Sequence, residues 1–455
     1  MRKAYKLEWF EHDEEVIYCP RSIVKEREKK LISFGSYQES VVCLPHPNKQ
    51  NVFAISISLS KRLHIPKFIS KINVFVRENT IFFGPLIGIF TNGFTNFRLY
   101  PIGQRSSMFS KLLSVQSSVG VVPFLFGENH IDWENGMVKG HFLHDHKWET
   151  YHIPLPNVVY DRLPNRRSEK GIQYNEIKQR LQNQYGIPWY NPGFFNKLEV
   201  FEKIENDPEA ATFLPETHPL QSFSQIETML SKYNTVFIKP INGSLGLGIL
   251  QIYYLPTEEN YYCRLQDKKG KNRLYRFTSL EKLCAKLISP KVFHKMIVQQ
   301  GIKLIQFDKR KIDFRVHTNK DGAGEWQVSA IAAKVAGQGS VTTHIHNGGL
   351  VKSLAEVFPD DVVRQQSEAR LMKTALCLSK AIENNMNGYI GEIGFDFGID
   401  SEGEIWLFEA NSKPGRSIFS HPDLKEFDLL TRQLSLSFGI YLADQSITAT
   451  EELVT

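Results

Sequence analysis

The stretch GFDFGIDSEGEIWLFEANSKPG, residues 394–415, limits what this chain can fold into more than any other. Apolar residues alternate with polar ones or glycine on both sides of Asp400-Ser401-Glu402-Gly403, which has turn chemistry. The segment therefore reads as two antiparallel strands. Side chains two apart in a strand share a face. Ile393, Phe395, Phe397 and Ile399 form one apolar face of the first strand, and Glu392, Gly394, Asp396 and Gly398 form the other. In the second strand Trp406, Phe408 and Ala410 lie opposite Leu407, Glu409 and Asn411. A four-residue loop predicts that 399 pairs with 404, which sets 394 against 409 and 392 against 411. Glu392, Asp396, Glu409 and Asn411 then share one face, with glycines between them. Gathered carboxylates repel unless a cation or protons neutralise them. An all-oxygen set suits a hard divalent ion beside phosphates, such as Mg2+. Taken alone, the hairpin fits equally well as a strand pair whose polar face is simply solvated.

Composition narrows the setting. A chain of 455 residues has room for two or three domains. Its 42% hydrophobic and 23% charged residues are the balance of an ordinary globular protein, so the chemistry has to be sought in a folded site. The net charge of +6 fits a nucleotide or an acidic substrate and does not by itself argue for nucleic acid, which is not expected as a partner. The N-terminal residues MRKAYKLEWFEHDEEVIYCP lack the apolar core of a secretory signal. The longest apolar run, IFFGPLIGIF at 81–90, is far short of the ~20 residues a membrane helix needs, so no membrane partner is expected either. Five cysteines without CxxC spacing (19, 43, 263, 284 and 377) read as reduced thiols of a cytoplasmic protein, not a disulfide frame or zinc site.

Three regions are expected. Residues 1–80 alternate in short runs (VVCLP, NVFAISISLS, KINVFVREN) and read as a small β-rich module. Residues 81–194 begin with PLIGIF, a helix-like SSMFSKLLSVQSSVG and VVPFLF, which together predict a βαβ unit in a parallel sheet. Two further strands, GMVKGHFLH and WETYHIPLP, precede NVVYDRLPNRR, a strand entering a basic loop. PWYNPGFFNK at 188–197 reads as a loop before a third region, 195–455.

The third region carries the remaining candidates. Thr235–Pro240 predicts a strand with Lys239 near its end, followed by INGSLGLGI. Gly243, Gly246 and Gly248 leave backbone amides bare for a phosphate, although an ordinary hairpin turn would look the same. The order is neither that of a P-loop nor that of a Rossmann fingerprint, and LQIYYL after it predicts a returning strand. FTSLEKLCAKLI predicts a helix with a capping box of Thr278 and Glu281. KVFHKMIVQQGIKLI predicts a strand reaching Gln299-Gln300-Gly301. KIDFRVHTNK sets Asp313, Arg315 and His317 on one strand face, and EWQVSAIAAKV returns Lys334 alongside. His344 and His346 share a face but lack a third ligand at metal spacing. A long helix over DDVVRQQSEARLMKTALCLSKAIENN has Val363, Leu371, Leu378 and Ile382 as its core stripe.

A strand-borne lysine before a glycine loop, then IVQQGI, then DFRV, then GFD…WLFEANSKPG, resembles an ATP-grasp domain over about 195–440. With PLIGIF and VVYDRLPNR included, the whole chain resembles the YheC/YheD-type, endospore coat-associated ATP-grasp family of spore-forming bacilli. The resemblance implies an α/β fold in which an ATP-grasp domain of two α+β halves follows a β/α pre-ATP-grasp domain and the small β module. It implies that Asp396, Glu409 and Asn411 hold Mg2+, as two ions or with Mn2+ in their place, under the phosphates of ATP. Lys239 would contact phosphate or adenine, and the loop of Gly243, Ser244, Gly246 and Gly248 would cover the triphosphate. Gln300, Gly301 and Ile302 would line the adenine, and Arg315 and Lys334 would serve catalysis by neutralising the γ-phosphate. Two positions depart from the pattern: Lys334 stands where many relatives carry arginine, and His344 where related ligases often carry asparagine.

A carboxylate has to acquire a phosphate leaving group before an amine or thiol can displace it, and that step is catalysed mainly by positioning and charge. The expectation is an ATP- and Mg2+-dependent carboxylate–amine (or thiol) ligase acting through an acyl phosphate. Its carboxylate and amine substrates are unnamed, with a peptide among the candidates. The alternative is an ATP-binding spore-coat or assembly protein with little turnover, partnered by coat proteins. A third reading is a phosphotransferase to a protein histidine. The basic stretch Arg162, Arg166, Arg167 and Lys170 reads as a solvated loop or as a face for an acidic peptide.

Overall fold

The computed structural model describes residues 2–48, 51–243, 246–267, 269–343 and 348–454. Within them the chain forms, in order, a closed barrel, a mixed seven-stranded sheet and two six-stranded sheets. The alternating runs between Arg2 and Phe83 become the barrel, whose inward side chains include Ile17, Ile32, Phe34, Phe53, Ile55 and Ile72, all fully buried.

The continuous apolar runs that follow are buried on both faces, as parallel strands require. Leu86–Phe90 and Val122–Phe126 pair in parallel across the helices Ser106–Leu113 and Gln116–Val119. Val158–Asp161 pairs in parallel on the other side of Leu86–Phe90. Trp189–Tyr190 extends the sheet beyond it, so the segment read as a loop holds a short, fully buried strand.

The third sheet has the order Thr217–Pro219, Met296–Gln300, Thr235–Pro240, Leu250–Leu255, Asn260–Gln266, Asn272–Phe277. Helices Phe223–Tyr233 and Leu280–Leu287 bury their apolar stripes against it. The second helix is capped by Ser279, whose hydroxyl accepts from the Lys282 N–H, and not by Thr278 as expected. The fourth sheet has the order Leu350–Lys352, Trp326–Val335, Arg310–Lys320, Glu392–Ile399, Ile405–Asn411. Ile312, Phe314, Val316, Phe395 and Phe397 pack its inner face onto the helix Asp361–Asn385 through Leu371, Leu378 and Ile382. Val363, expected in that stripe, is 46% exposed because it lies in the helix's solvated first turn.

The last helix, Lys425–Val454, returns Leu436, Phe438 and Ile440 to the second sheet, beside Ile87, Ile89 and Tyr160. None of the described helices is long and apolar enough to cross a membrane. The five cysteines are free thiols, four of them buried.

Candidate active site

The hairpin forms as expected, but its register differs. Gly394 pairs with Asn411, Asp396 with Glu409 and Ile399 with Ile405, with an irregularity after Asp396. Phe397 pairs with Leu407, which leaves Phe408 as the extra residue of a bulge. A bulge switches the inward face within one strand, which strict alternation cannot anticipate. Ile405, Leu407 and Ala410 therefore enter the core, and Phe408 stands on the cleft side with Glu409. The expected pairing of 399 with 404 is corrected by one residue at the turn and by two at the acidic pair. Gly398 makes room for the bulge: a Cβ there would lie 2.4 Å from Phe408 Cζ and 2.5 Å from Leu304 Cδ2.

Glu392 keeps the face of Asp396, with no shift of register between them, but lies outside the cleft. It accepts from Tyr160 Oη of the second sheet at 2.6 Å and pairs with Arg162, which follows the strand Val158–Asp161. Arg162 is accordingly 9% exposed, which removes it from the solvated basic loop.

Asp396 lies among cations supplied by neighbouring strands. Arg315, its partner in register, donates from Nε at 2.8 Å and from Nη2 at 2.9 Å to the two carboxylate oxygens. Lys334 Nζ is 2.7 Å from Asp396 Oδ1 and 3.0 Å from Asp313 Oδ1. Lys334 and Asp313 are themselves opposite one another in register. The Thr343 hydroxyl donates to the second oxygen of Asp313. Burial alone would raise the Asp396 carboxyl, but Arg315 and Lys334 hold it well below the usual carboxylate range. Burial also raises Asp313, against the pull of Lys334. The result is two carboxylates and two cations in alternation, largely out of solvent.

The third sheet forms the opposite wall. Lys239 donates to Gln299 Oε1 and lies 5.3 Å from the Phe237 ring centroid and 5.5 Å from that of Phe408. Burial, with Lys197 nearby, lowers its ammonium to about 7. Lys197 Nζ pairs with Glu409 at 3.1 Å. Gly246 and Gly248 adopt left-handed φ of 72° and 73°, as the predicted loop requires. A Cβ on Gly246 would meet Thr342 Oγ1 at 2.9 Å, so this loop already lies against the segment leading out of the fourth sheet. Gly243 and Gly248 rest on Pro240. Ser244, His344 and His346 lie outside the described residues.

One cleft brings together Lys239, Gly246, Gln300, Ile302, Lys334, Asp396 and Glu409 of the predicted set. Arg315 adjoins it through Asp396. Gly301 sits behind it, its N–H donating to the Thr235 carbonyl at 2.9 Å. Asn411 is two hairpin pairs further on, its Nδ2 donating to the Gly394 carbonyl at 3.3 Å, which leaves Oδ1 open to another partner. The cleft also holds Asp313, Lys197, Lys311, Phe408 and Thr343, none of them in the predicted set. Asp313 already lay on the polar face shared with Arg315, so its signal was present in the strand pattern. Lys197, on a helix remote in sequence from Glu409, left no such trace.

The model of the YheC/D like ATP-grasp family matches residues 186–442. Endospore coat-associated protein YheD of Bacillus subtilis is 43% identical over 392 residues, covering 84% of this chain and 84% of that protein. Endospore coat-associated protein YheC of the same organism is 21% identical over 272 residues, covering 59% of this chain and 73% of that protein. Among solved structures, a D-alanine–D-alanine ligase from Bacillus anthracis aligns over 79% of this chain and 99% of its own, at 12% identity and a TM-score of 0.46. The family match spans more than half of the residues, and the likeness to YheD extends over most of the chain. This chain belongs to the YheC/D-like ATP-grasp family.

Proposed function

We propose that the protein is an ATP- and Mg2+-dependent ligase that activates a carboxylate as an acyl phosphate and joins it to an amine, or to a thiol. The observation that carries this reading is the alternating cluster of Asp313, Lys334, Asp396 and Arg315 beside Glu409, facing Lys239 across one cleft. Asp396, Glu409 and the Oδ1 of Asn411 are all oxygen donors on one hairpin, a set that fits Mg2+ or Mn2+. Metal bound there, as one ion or two, would offset phosphate charge and orient the transferring group.

The chain's own residues take the other roles. Lys239 sets a positive charge against the phosphates, and the backbone N–H groups of the Gly243–Gly248 loop cover them. Gln300, Gly301 and Ile302 flank the adenine. Arg315 and Lys334 keep Asp396 ionised and stand where charge gathers as the carboxylate oxygen attacks the γ-phosphorus and ADP leaves. The amine nitrogen then attacks the acyl carbon and inorganic phosphate leaves. The names of these relatives extend the proposal to the endospore coat as surroundings and to coat proteins as partners.

One observation favours a second reading, a nucleotide-binding coat or assembly protein with little turnover. Lys334 supplies a point charge where many relatives would supply an arginine fork, and Arg315 and Lys334 together occupy both oxygens of Asp396. ADP release with Mg2+ over a panel of amino acids and peptides, in wild type and Asp396→Asn, separates the two. Acceptor-dependent turnover that the variant loses supports the ligase. Nucleotide-stabilised melting without turnover supports the binding protein, and a stable phosphohistidine would point to phosphotransfer.

A further inference from the structure

Ligands of open α/β sheets bind where the parallel strands end. In the second sheet, Leu86–Phe90, Val122–Phe126 and Val158–Asp161 end at one edge. From that edge the chain enters the short helix Arg166–Glu169. A half-open cleft of about 450 Å³ lies there, lined by Arg166, Arg167, Glu169, Lys170 and Asn242. Asn242 immediately precedes the glycine loop, so one wall belongs to the second sheet and the other to the nucleotide-binding half.

The charge in this cleft is not cancelled. Glu169 gives one oxygen to Lys413 Nζ at 2.7 Å and the other to the Phe194 N–H at 3.1 Å. Arg166 donates to the carbonyls of Phe194 and Phe195 at 3.1 and 2.6 Å, and keeps its positive charge. Arg167 and Lys170 are exposed and three residues apart, and among the described residues no acid pairs with either. Lys413, in turn, follows Glu409 and Asn411 on the same chain segment and is buried against Asp161 at 2.6 Å. The cleft's helix is therefore held directly to the hairpin that carries the acidic pair.

We propose that this cleft receives the acceptor substrate and that the acceptor is an acidic peptide, with side-chain carboxylates on Arg167 and Lys170 and its reacting end directed past Asn242 toward the nucleotide. A lone phosphate is usually met by converging donors, backbone N–H groups included. Here the donors are two long, exposed cationic side chains, Arg167 in the helix and Lys170 at its C-cap, with no acid among the described residues paired to either, which suits the neighbouring carboxylates of an acidic chain. The inference rests on the ligase reading for its chemistry, but its test does not need turnover.

Fluorescein-labelled hexaglutamate, titrated by anisotropy against the full chain near physiological salt, should bind saturably. The double variant Arg167→Glu/Lys170→Glu should weaken that binding by about tenfold or more. Lys139→Glu, the same kind of charge change at an exposed position on the strand Met137–His144, should leave it unaltered. Melting temperature, with and without Mg·ADP, should be the same in the double variant as in wild type, since both positions are exposed. Absence of hexaglutamate binding, equal binding by the double variant, equal weakening by Lys139→Glu, or displacement by a single-stranded oligonucleotide at matched charge would each overturn the proposal. Failure of Mg·ADP to stabilise the wild type would instead remove the nucleotide reading, with the peptide titration still deciding the cleft.

Discussion

At the residue scale Asp396 is the pivot. It is the shared partner of Arg315 and Lys334, and neutralising it leaves two largely buried cations facing each other. Asp396→Asn should therefore lower stability by about 3 kcal/mol in denaturant unfolding and abolish stabilisation by Mg·ATP. Glu409→Gln should lose the Mg·ATP effect at a smaller cost, because its partner pair with Lys197 is more open to solvent. Lys239 yields a prediction in pH. Its free-protein ammonium titrates near 7, and a bound triphosphate favours the charged form. Affinity for Mg·ATP should be full below that pH and fall as pH rises through it, by up to about tenfold per unit. Isothermal titration from about pH 7.5 to 9, where the phosphate groups have finished ionising, should give a falling line for wild type and a weak, flat one for Lys239→Met.

At the scale of elements the bulged hairpin decides the shape of the cleft. Two strands, their turn and their acidic residues were legible in the alternation of 392–411, because period-two burial is a local property. The bulge was not, since which residue is left unpaired depends on what packs against each face. Phe408 shows this: alternation grouped it with Ala410, yet its ring lies beside Lys239 on the cleft side, over a glycine. Gly398→Ala should push that ring into the cleft. The expected result is a loss of about 1–3 kcal/mol in stability, read by chemical denaturation, together with weaker nucleotide binding. A comparable stability loss without a change in nucleotide affinity would place the ring outside the binding surface.

At the scale of the whole molecule, buried polar ties join the second sheet to the hairpin. Lys413 lies between Asp161 and Glu169, and Glu392 joins Tyr160 and Arg162. Removing one partner of a buried pair leaves an uncompensated charge. Lys413→Met should destabilise the protein by about 3–5 kcal/mol in urea unfolding, and adding Asp161→Asn to it should recover part of that loss. Additive losses in the double variant would mean that the two side chains do not act as a pair.

Local pattern alone determined most of the strands, the long helix, the glycine loop and the line of oxygen-bearing residues from Asp396 to Asn411, because each depends on residues near in sequence. Where those elements meet was decided only by the tertiary structure. Glu392 and Arg162 look like a metal-face acid and a solvated cation in sequence, and they become each other's buried partner. Lys197 and Asp313 join the cleft for the same reason: Coulombic and packing energies depend on distances in space, and the chain brings residues as far apart as 197 and 409 into one ion pair.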